Sequence, residues 1–159
     1  MPTITETHES SGGIVFNGSL VLLVEVIAPY HEYIFPKGTT EPGESSEKTA
    51  VREVSEETGY STRIIAPLNN LEYEFIVENT YVKKTVHYFV MVLEDATKIP
   101  EQKLQVGEYL RPVWVTIPEA LDRLTHNNSK ELLLQAVELY RDYATKRASF
   151  LSNVSSETK

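Results

Sequence analysis

Three glutamates stand close together in one short stretch of the chain. Glu53, Glu56 and Glu57 are spaced i, i+3 and i+4, so on a helix their side chains would leave the same face. Like charges at this spacing destabilise an exposed helix by roughly 0.2–0.5 kcal/mol per pair. Arg52, four residues before Glu56, is the only strong cation nearby, and it can neutralise one carboxylate but not three. The cluster therefore predicts a further cationic partner.

A hard divalent cation fits this requirement. The chain contains no cysteine, which excludes thiolate ligands, disulfides and cysteine nucleophiles. Oxygen ligands without His or Cys favour Mg²⁺, with Mn²⁺ as a substitute. Such ions bind a few carboxylates, keep several waters and share their remaining positions with substrate phosphates. The glutamates thus predict phosphate chemistry that depends on a metal ion.

The surrounding positions separate this interpretation from an ordinary solvated helix face, which is what a bare ExxEE usually means. Within GTTEPGESSEKTAVREVSEETGY the fixed positions are Gly38, Glu44, Arg52, Glu53, Val54, Glu56, Glu57 and Gly59. This pattern resembles G-x5-E-x7-R-E-U-x-E-E-x-G-U, the signature of the Nudix hydrolases, in which U is a bulky aliphatic residue. Only Tyr60 departs, at the last position, and we expect that change to alter packing rather than chemistry. SGGIVF, FPKG and RPVWVTIPEAL also match the family, so the resemblance covers roughly residues 12–140.

The resemblance implies an α+β fold, an α/β/α sandwich with a mixed sheet and a catalytic loop–helix–loop. It implies hydrolysis of a phosphoanhydride bond in a nucleoside diphosphate derivative by water attack at phosphorus. The implied metal ligands are Glu53, Glu56 and Glu57, with the Gly38 carbonyl as a further one. Arg52 and Glu44 would form an orienting pair that holds the ligand carboxylates. The general base stays open between Glu56, Glu57 and the later-loop Glu108, which is also a candidate metal ligand.

The substrate is predicted from segments outside the signature. FPKGTTEPGE and KKTVHYFVM most resemble the bis(5′-nucleosyl)-tetraphosphatase branch, which implies diadenosine tetraphosphate as substrate and ATP and AMP as products. A long polyphosphate requires cations and an adenine requires a flat partner. The candidate substrate-binding residues are Lys37, Lys83, Lys84, His87, Tyr73, Tyr81 and Tyr88. Each also has an ordinary role, since strand tyrosines fill cores and lysines keep sheet edges soluble. Trp114, in an apolar strand, is predicted to lie in the core.

Other interpretations stay open. The substrate could be a nucleoside triphosphate, ADP-ribose, an RNA 5′ end or a diphosphoinositol phosphate, or the chain could bind a nucleotide without cutting it. The net charge of −8 disfavours stable nucleic-acid binding and the strongly basic pocket that a diphosphoinositol phosphate needs. No N-terminal signal pattern and no apolar run of about 20 residues is found. We therefore expect no membrane association, a cytoplasmic location, and a monomer or homodimer that binds a nucleotide substrate.

Around the signature, the residue pattern predicts alternating strands and helices. Strands are expected at 13–16, 20–27, 63–66, 71–77, 85–93 and 111–117, with Asn17-Gly18 as a hairpin signal. A helix is expected from Ser45 or Ser46 to Gly59, a short helix at Pro118 and an amphipathic helix at 130–147. The residues expected to face the core from the last helix are Leu133, Leu134, Ala136, Val137 and Tyr140. We predict one domain, 12–148, between a flexible lead, 1–11, and a flexible tail, 149–159.

Overall fold

A computed structural model of the protein describes residues 4–94 and 109–157. The elements in chain order are β1 (Ile4–Asn17), β2 (Leu20–Ala28), β3 (Glu32–Ile34), β4 (Lys37–Thr39), α1 (Ser46–Thr58), β5 (Thr62–Pro67), β6 (Leu71–Val77), β7 (Thr80–Leu93), β8 (Tyr109–Thr116), α2 (Ile117–Arg123) and α3 (Asn127–Glu157). Within the described ranges, no helix has both the length and the apolar character needed to cross a membrane.

The strands form one mixed sheet around a long parallel pair. β1 and β7 run side by side, in register from Ile4 and Thr80 to Phe16 and Val92. β5 and β6 both pair antiparallel with β7, each along a different part of its length. β2 pairs antiparallel with the end of β1 and continues the sheet to β3 and β8. The predicted mixed sheet is confirmed.

Helices cover both faces of this sheet. Alternate residues of a strand point to opposite faces. Val15 and Met91 therefore pack with Val54 of α1, whereas Ile14 and Val90 pack with the α2 and α3 side. Both clusters are fully or almost fully buried. This arrangement confirms the predicted α/β/α sandwich.

The helix α1 is defined at both ends by its caps. The Ser45 side chain accepts a hydrogen bond from the Lys48 N–H. Gly59 ends the helix with φ 79°, and its N–H donates to the Ser55 carbonyl. These caps confirm the predicted start and stop. The β1–β2 hairpin is also present, but Asn17 pairs with Leu20, so its two turn residues lie one position later than predicted.

The chain ends and one face of α3 differ from the sequence prediction. β1 begins at Ile4 because it continues to pair with β7, and α3 runs to Glu157. No Gly or Pro follows Pro118, so the sequence contains no residue that would end α3 earlier. Leu134 was predicted to face the core but is 52% exposed, whereas Leu132 is buried in its place. Leu132 lies on the helical stripe that the other core residues of α3 define.

Candidate active site

The short strand β4 places Gly38 against the helix α1. Gly38 pairs with Ser11 of β1 and faces the side chain of Glu53. A Cβ atom at position 38 would overlap the Glu53 carboxylate. Glycine therefore allows the Glu53 carboxylate to lie against β4, and a larger residue at position 38 would have to displace that carboxylate.

Arg52 is the centre of the carboxylate network. Its Nε and Nη2 donate to the two oxygens of Glu44 at 2.7 and 2.9 Å. Its Nη1 donates to Glu53 at 2.8 Å and to Glu56 at 3.1 Å, and Nη2 also donates to the Thr39 carbonyl at 3.0 Å. The expectation that Arg52 neutralises one carboxylate was too narrow, because its planar fork reaches three.

Within this network the pKa of Glu44 is lowered and the pKa of Glu53 is raised. The hydrogen bond from Arg52, helped by one from Thr49, lowers the pKa of Glu44 to about 2. Burial raises the pKa of Glu53, whose residue is 8% exposed, although Arg52 opposes the shift. The pKa of Arg52 itself is raised, chiefly by its hydrogen bond to Glu44. Glu44 and Arg52 thus form a permanently charged pair.

A cavity of about 420 Å³ opens beside this network. Glu53, Glu57 and Gly38 line its acidic end, and its other polar residues are Ser10, Glu32, Lys37, Thr39 and Lys84. The Lys37 N–H donates to Glu57 Oε2 at 3.2 Å, which fixes that carboxylate at the cavity. Two of the three clustered glutamates therefore face space large enough for a ligand.

A second cavity, of about 350 Å³, continues from the first, and Lys37 and Lys84 line both. Tyr73, Phe75 and His126 line its far part. Burial lowers the pKa of Lys84, and the positive charge of Lys37 lowers it further. An anion between the two lysines would favour the charged form of Lys84 and so oppose this lowering of its pKa. The two cavities form one groove, called here the lysine-bridged groove.

Comparison with known proteins agrees with this geometry. Residues 6–136 match the NUDIX domain. The chain belongs to the Nudix family. A protein named as a mutator protein, MutT4, from Mycobacterium tuberculosis (strain CDC 1551 / Oshkosh) is 33% identical over 148 residues, covering 87% of this chain and 57% of that protein. An ADP-ribose pyrophosphatase from Bacillus subtilis (strain 168) is 28% identical over 107 residues, covering 65% of this chain and 55% of that one.

A solved structure supports the fold assignment. The binary complex of a C. elegans Ap4A hydrolase superposes with a TM-score of 0.64 at 18% identity, covering 87% of this Nudix chain and 98% of that one. That likeness concerns the fold alone. This chain spans just over half the length of the two sequence relatives, at 57% and 55%.

The Nudix fold places only some of the predicted substrate-binding residues in the groove. Lys37, Lys84 and Tyr73 line it, and Tyr88 forms part of its wall at 4% exposure, where it packs against the Phe35 ring. The remaining candidates, which lie on the opposite face of β7 from Lys84, are Tyr81, Lys83 and His87.

Tyr81, Lys83 and His87 make their contacts on that opposite face, outside the groove. Lys83 Nζ lies 5.9 Å from the centre of the Tyr81 ring. His87 Nδ1 is 3.0 Å from the Asn70 Oδ1 atom. Because strand side chains alternate, Lys84 and Lys83 point to opposite faces, and the period of two along β7 could have separated them from sequence. Glu108 lies outside the described residues.

Sequence reasoning missed several groove residues, among them Phe75 and His126. Phe75 is on the same face of β6 as Tyr73, so the strand period carried a signal for it. His126 precedes α3 and reaches the groove only through the packing of α3 on the sheet. No local pattern in the sequence indicated His126.

The atypical Tyr60 of this Nudix signature has a packing role. The Trp114 Nε1–H donates to the Tyr60 hydroxyl at 3.0 Å, and the two rings meet edge to face at 5.4 Å. Both rings pack against the cluster that includes Val54 of α1. Trp114 was predicted to lie in the core but is partly buried at its edge, where its indole N–H meets the Tyr60 hydroxyl, and Tyr60 joins the end of α1 to β8.

Proposed function

We propose that this chain is a divalent-cation-dependent pyrophosphohydrolase of a nucleoside diphosphate derivative, and that a dinucleoside polyphosphate such as diadenosine tetraphosphate is its substrate. The observation that carries the proposal is the order of acidic, basic and aromatic side chains along the lysine-bridged groove. Glu53 and Glu57 line the first cavity, Lys37 and Lys84 line both cavities together with Glu32, and Tyr73 lines the second.

The acidic end suits a hard cation in its donor chemistry. Glu53 and Glu57 line the cavity and Gly38 lies against Glu53, so every donor is an oxygen. Among residues 4–94 and 109–157, no three His, Cys, Asp or Glu side chains already stand in a metal-holding arrangement. Arg52 accounts for this, because it binds both Glu53 and Glu56. We infer that Glu56 leaves Arg52 to complete the ligand set.

A divalent cation bound there supplies charge neutralisation on the diphosphate oxygens and lowers the pKa of a water molecule. The chain's own groups provide the positioning. Arg52 stays with Glu44, whose carboxylate is charged at neutral pH, and so continues to orient the helix face. Glu57, fixed by the Lys37 N–H, is the general base that we favour among the described candidates. No protein nucleophile is needed.

The middle and far parts of the groove support the choice of substrate. Lys37 and Lys84 bring two positive charges to the space between the cavities, where a chain of phosphates would bind. Tyr73 and Phe75 are 37% and 42% exposed, so their rings are available to a base. A dinucleoside polyphosphate has one base at each end of its phosphates and would occupy both cavities.

ADP-ribose is the second candidate substrate. The Bacillus subtilis relative, at 28% identity, is named as an ADP-ribose pyrophosphatase. ADP-ribose also has two ends joined by a diphosphate, but it has fewer phosphates to place between Lys37 and Lys84. The lysine pair therefore favours the longer polyphosphate.

The test is product analysis by chromatography with diadenosine tetraphosphate, ADP-ribose and nucleoside triphosphates, in Mg²⁺, in Mn²⁺ and in EDTA. We expect diadenosine tetraphosphate to have the highest kcat/KM and to give ATP and AMP only with a metal ion. The Glu57→Gln variant should lose activity by at least a hundredfold, as expected for loss of a base. Preference for ADP-ribose would support the second candidate, and absence of turnover with either metal would support a nucleotide-binding module.

A further inference from the structure

A separate cavity lies at the opposite end of the β1–β7 pair from the lysine-bridged groove. Its volume is about 350 Å³, and it is bounded by the ends of β1 and β7 and by the outer half of α3. Ser10 lines the groove and Phe16 lines this region, which places the two roughly 20 Å apart along β1. We call this region the arginine cleft.

Two arginines converge on one neutral atom in the arginine cleft. Arg63 Nη2 and Arg147 Nη1 each donate to the Tyr143 hydroxyl at 3.1 Å. In the part of the chain that the structure describes, neither arginine forms an ion pair with a carboxylate. The two arginines therefore concentrate positive charge at one hydroxyl, on a chain whose net charge is −8. The pKa of Tyr143 is lowered, first by Arg63 and then by Arg147.

The arrangement brings uncompensated positive charge to one point. Two guanidinium groups that share a hydroxyl repel each other, and a single neutral oxygen satisfies only one donor of each. Guanidinium forks bind phosphate oxygens in pairs. Two positive charges match a dianionic phosphate monoester better than a carboxylate with one charge.

Apolar and aromatic groups surround these charges. Phe16 and Tyr140 are stacked with centroids 4.5 Å apart and an interplanar angle of 6°, and both line the cleft. Leu151, 53% exposed, forms the outer wall. Phe16 is only 1% exposed, so a ligand with a flat apolar body would cover Tyr140 and Leu151 while its phosphate meets Arg63 and Arg147.

We propose that the arginine cleft is a second ligand site, separate from the groove, for an aromatic phosphate monoester such as a nucleoside monophosphate. Its charge comes from Arg63 and Arg147, and its apolar surface comes from Tyr140 and Leu151, with Phe16 buried beneath Tyr140. The site is complete without a metal ion and does not depend on the function proposed for the groove.

The experiment is calorimetric titration with 1-naphthyl phosphate in EDTA. We expect binding to the wild type, and binding at least tenfold weaker to the Arg63→Gln/Arg147→Gln double variant, because both phosphate-binding forks are lost. The control is Lys48→Gln/Lys83→Gln, which removes two exposed cations that line neither the arginine cleft nor the groove and should bind within twofold of wild type. Unchanged melting temperatures would show that both double variants are folded.

Two further probes separate the parts of the site. Inorganic phosphate lacks the apolar body and 1-naphthol lacks the charge, so each should bind at least tenfold more weakly than 1-naphthyl phosphate. Amide NMR shifts should change at residues 16–18 and 140–148 and not at Gly38. The proposal is overturned by equal affinity of the arginine double variant, by loss of binding in the lysine variant, by equal binding of either partial probe, or by no binding at millimolar concentration.

Discussion

Arg52 holds both carboxylate oxygens of Glu44, through Nε at 2.7 Å and Nη2 at 2.9 Å. The same guanidinium donates to Glu53 and Glu56, so one side chain aligns the residues of two neighbouring turns of α1. We therefore expect Arg52→Lys, which keeps the charge but loses the planar fork, to lower kcat by roughly 10–100-fold. Steady-state kinetics with Mg²⁺ titration checks this, with Lys48→Arg on the same helix as the control. An Arg52→Lys variant within twofold of wild type would remove the orienting role.

Gly38 gives a steric prediction for the same network. Any Cβ at this position overlaps the Glu53 carboxylate, so Gly38→Ala must displace Glu53 or β4. We expect a loss of at least tenfold in kcat/KM together with a weaker response to Mg²⁺. Pro42→Ala, in the exposed loop that follows β4, serves as the control, because Pro42 lines neither cavity of the groove. Normal activity of Gly38→Ala would show that the position of Glu53 is unimportant.

Substitution of Tyr60 should lower the free energy of unfolding and leave kcat/KM unchanged. Tyr60→Phe removes the part-buried hydrogen bond from the Trp114 indole N–H, which costs roughly 0.5–1.5 kcal/mol. Urea denaturation should show this loss, while kcat/KM under folding conditions should stay within twofold. Tyr60→Leu restores the usual aliphatic type and should cost a similar amount. A large fall in kcat with unchanged stability would assign Tyr60 to the chemistry instead.

The ion pair between Glu25 and Arg111, which lies away from the groove, should make the free energy of unfolding depend on pH. The Arg111 Nη2 donates to Glu25 at 2.9 Å and the Tyr33 hydroxyl donates at 3.1 Å, and these bonds lower the pKa of Glu25. Because the folded pKa lies below the unfolded one, the stabilisation is present above the unfolded pKa and is lost as the pH falls through the folded pKa.

Glu25→Gln should therefore destabilise the protein at pH 7 and much less below the folded pKa of Glu25. The free energy of unfolding from urea titrations at a series of pH values checks this. Glu72→Gln, on the exposed strand β6, controls for the loss of one negative charge. An equal cost of Glu25→Gln at every pH would contradict the assignment.

Sequence alone predicted the parts of the site that depend on local spacing. The caps Ser45 and Gly59 fixed α1, and the i, i+3, i+4 spacing placed Glu53, Glu56 and Glu57 on one helical face. The contact between Gly38 and Glu53 joins residues on separate elements, yet the family resemblance already contained it as a fixed spacing. These features are local or are encoded by the signature.

The substrate-binding residues were harder to predict because they depend on which face of a strand is covered. Lys83 and Lys84 are identical in type and adjacent, and only the packing of β7 shows that Lys84 faces the groove. His126 reaches the groove through the docking of α3, which no local pattern specifies. The continuation of α3 to Glu157 reflects the absence of a stop signal rather than burial, since Phe150 and Leu151 are exposed.

The most direct test of the central claim compares two adjacent lysines of β7. We propose that the lysine-bridged groove binds the polyphosphate, so Lys84→Gln should lower kcat/KM for diadenosine tetraphosphate by at least tenfold through loss of a charge-assisted contact. Lys83→Gln, which removes the same charge on the opposite face, should change it by less than twofold. Equal losses for the two variants, or a loss only for Lys83→Gln, would contradict the assignment of substrate to the groove.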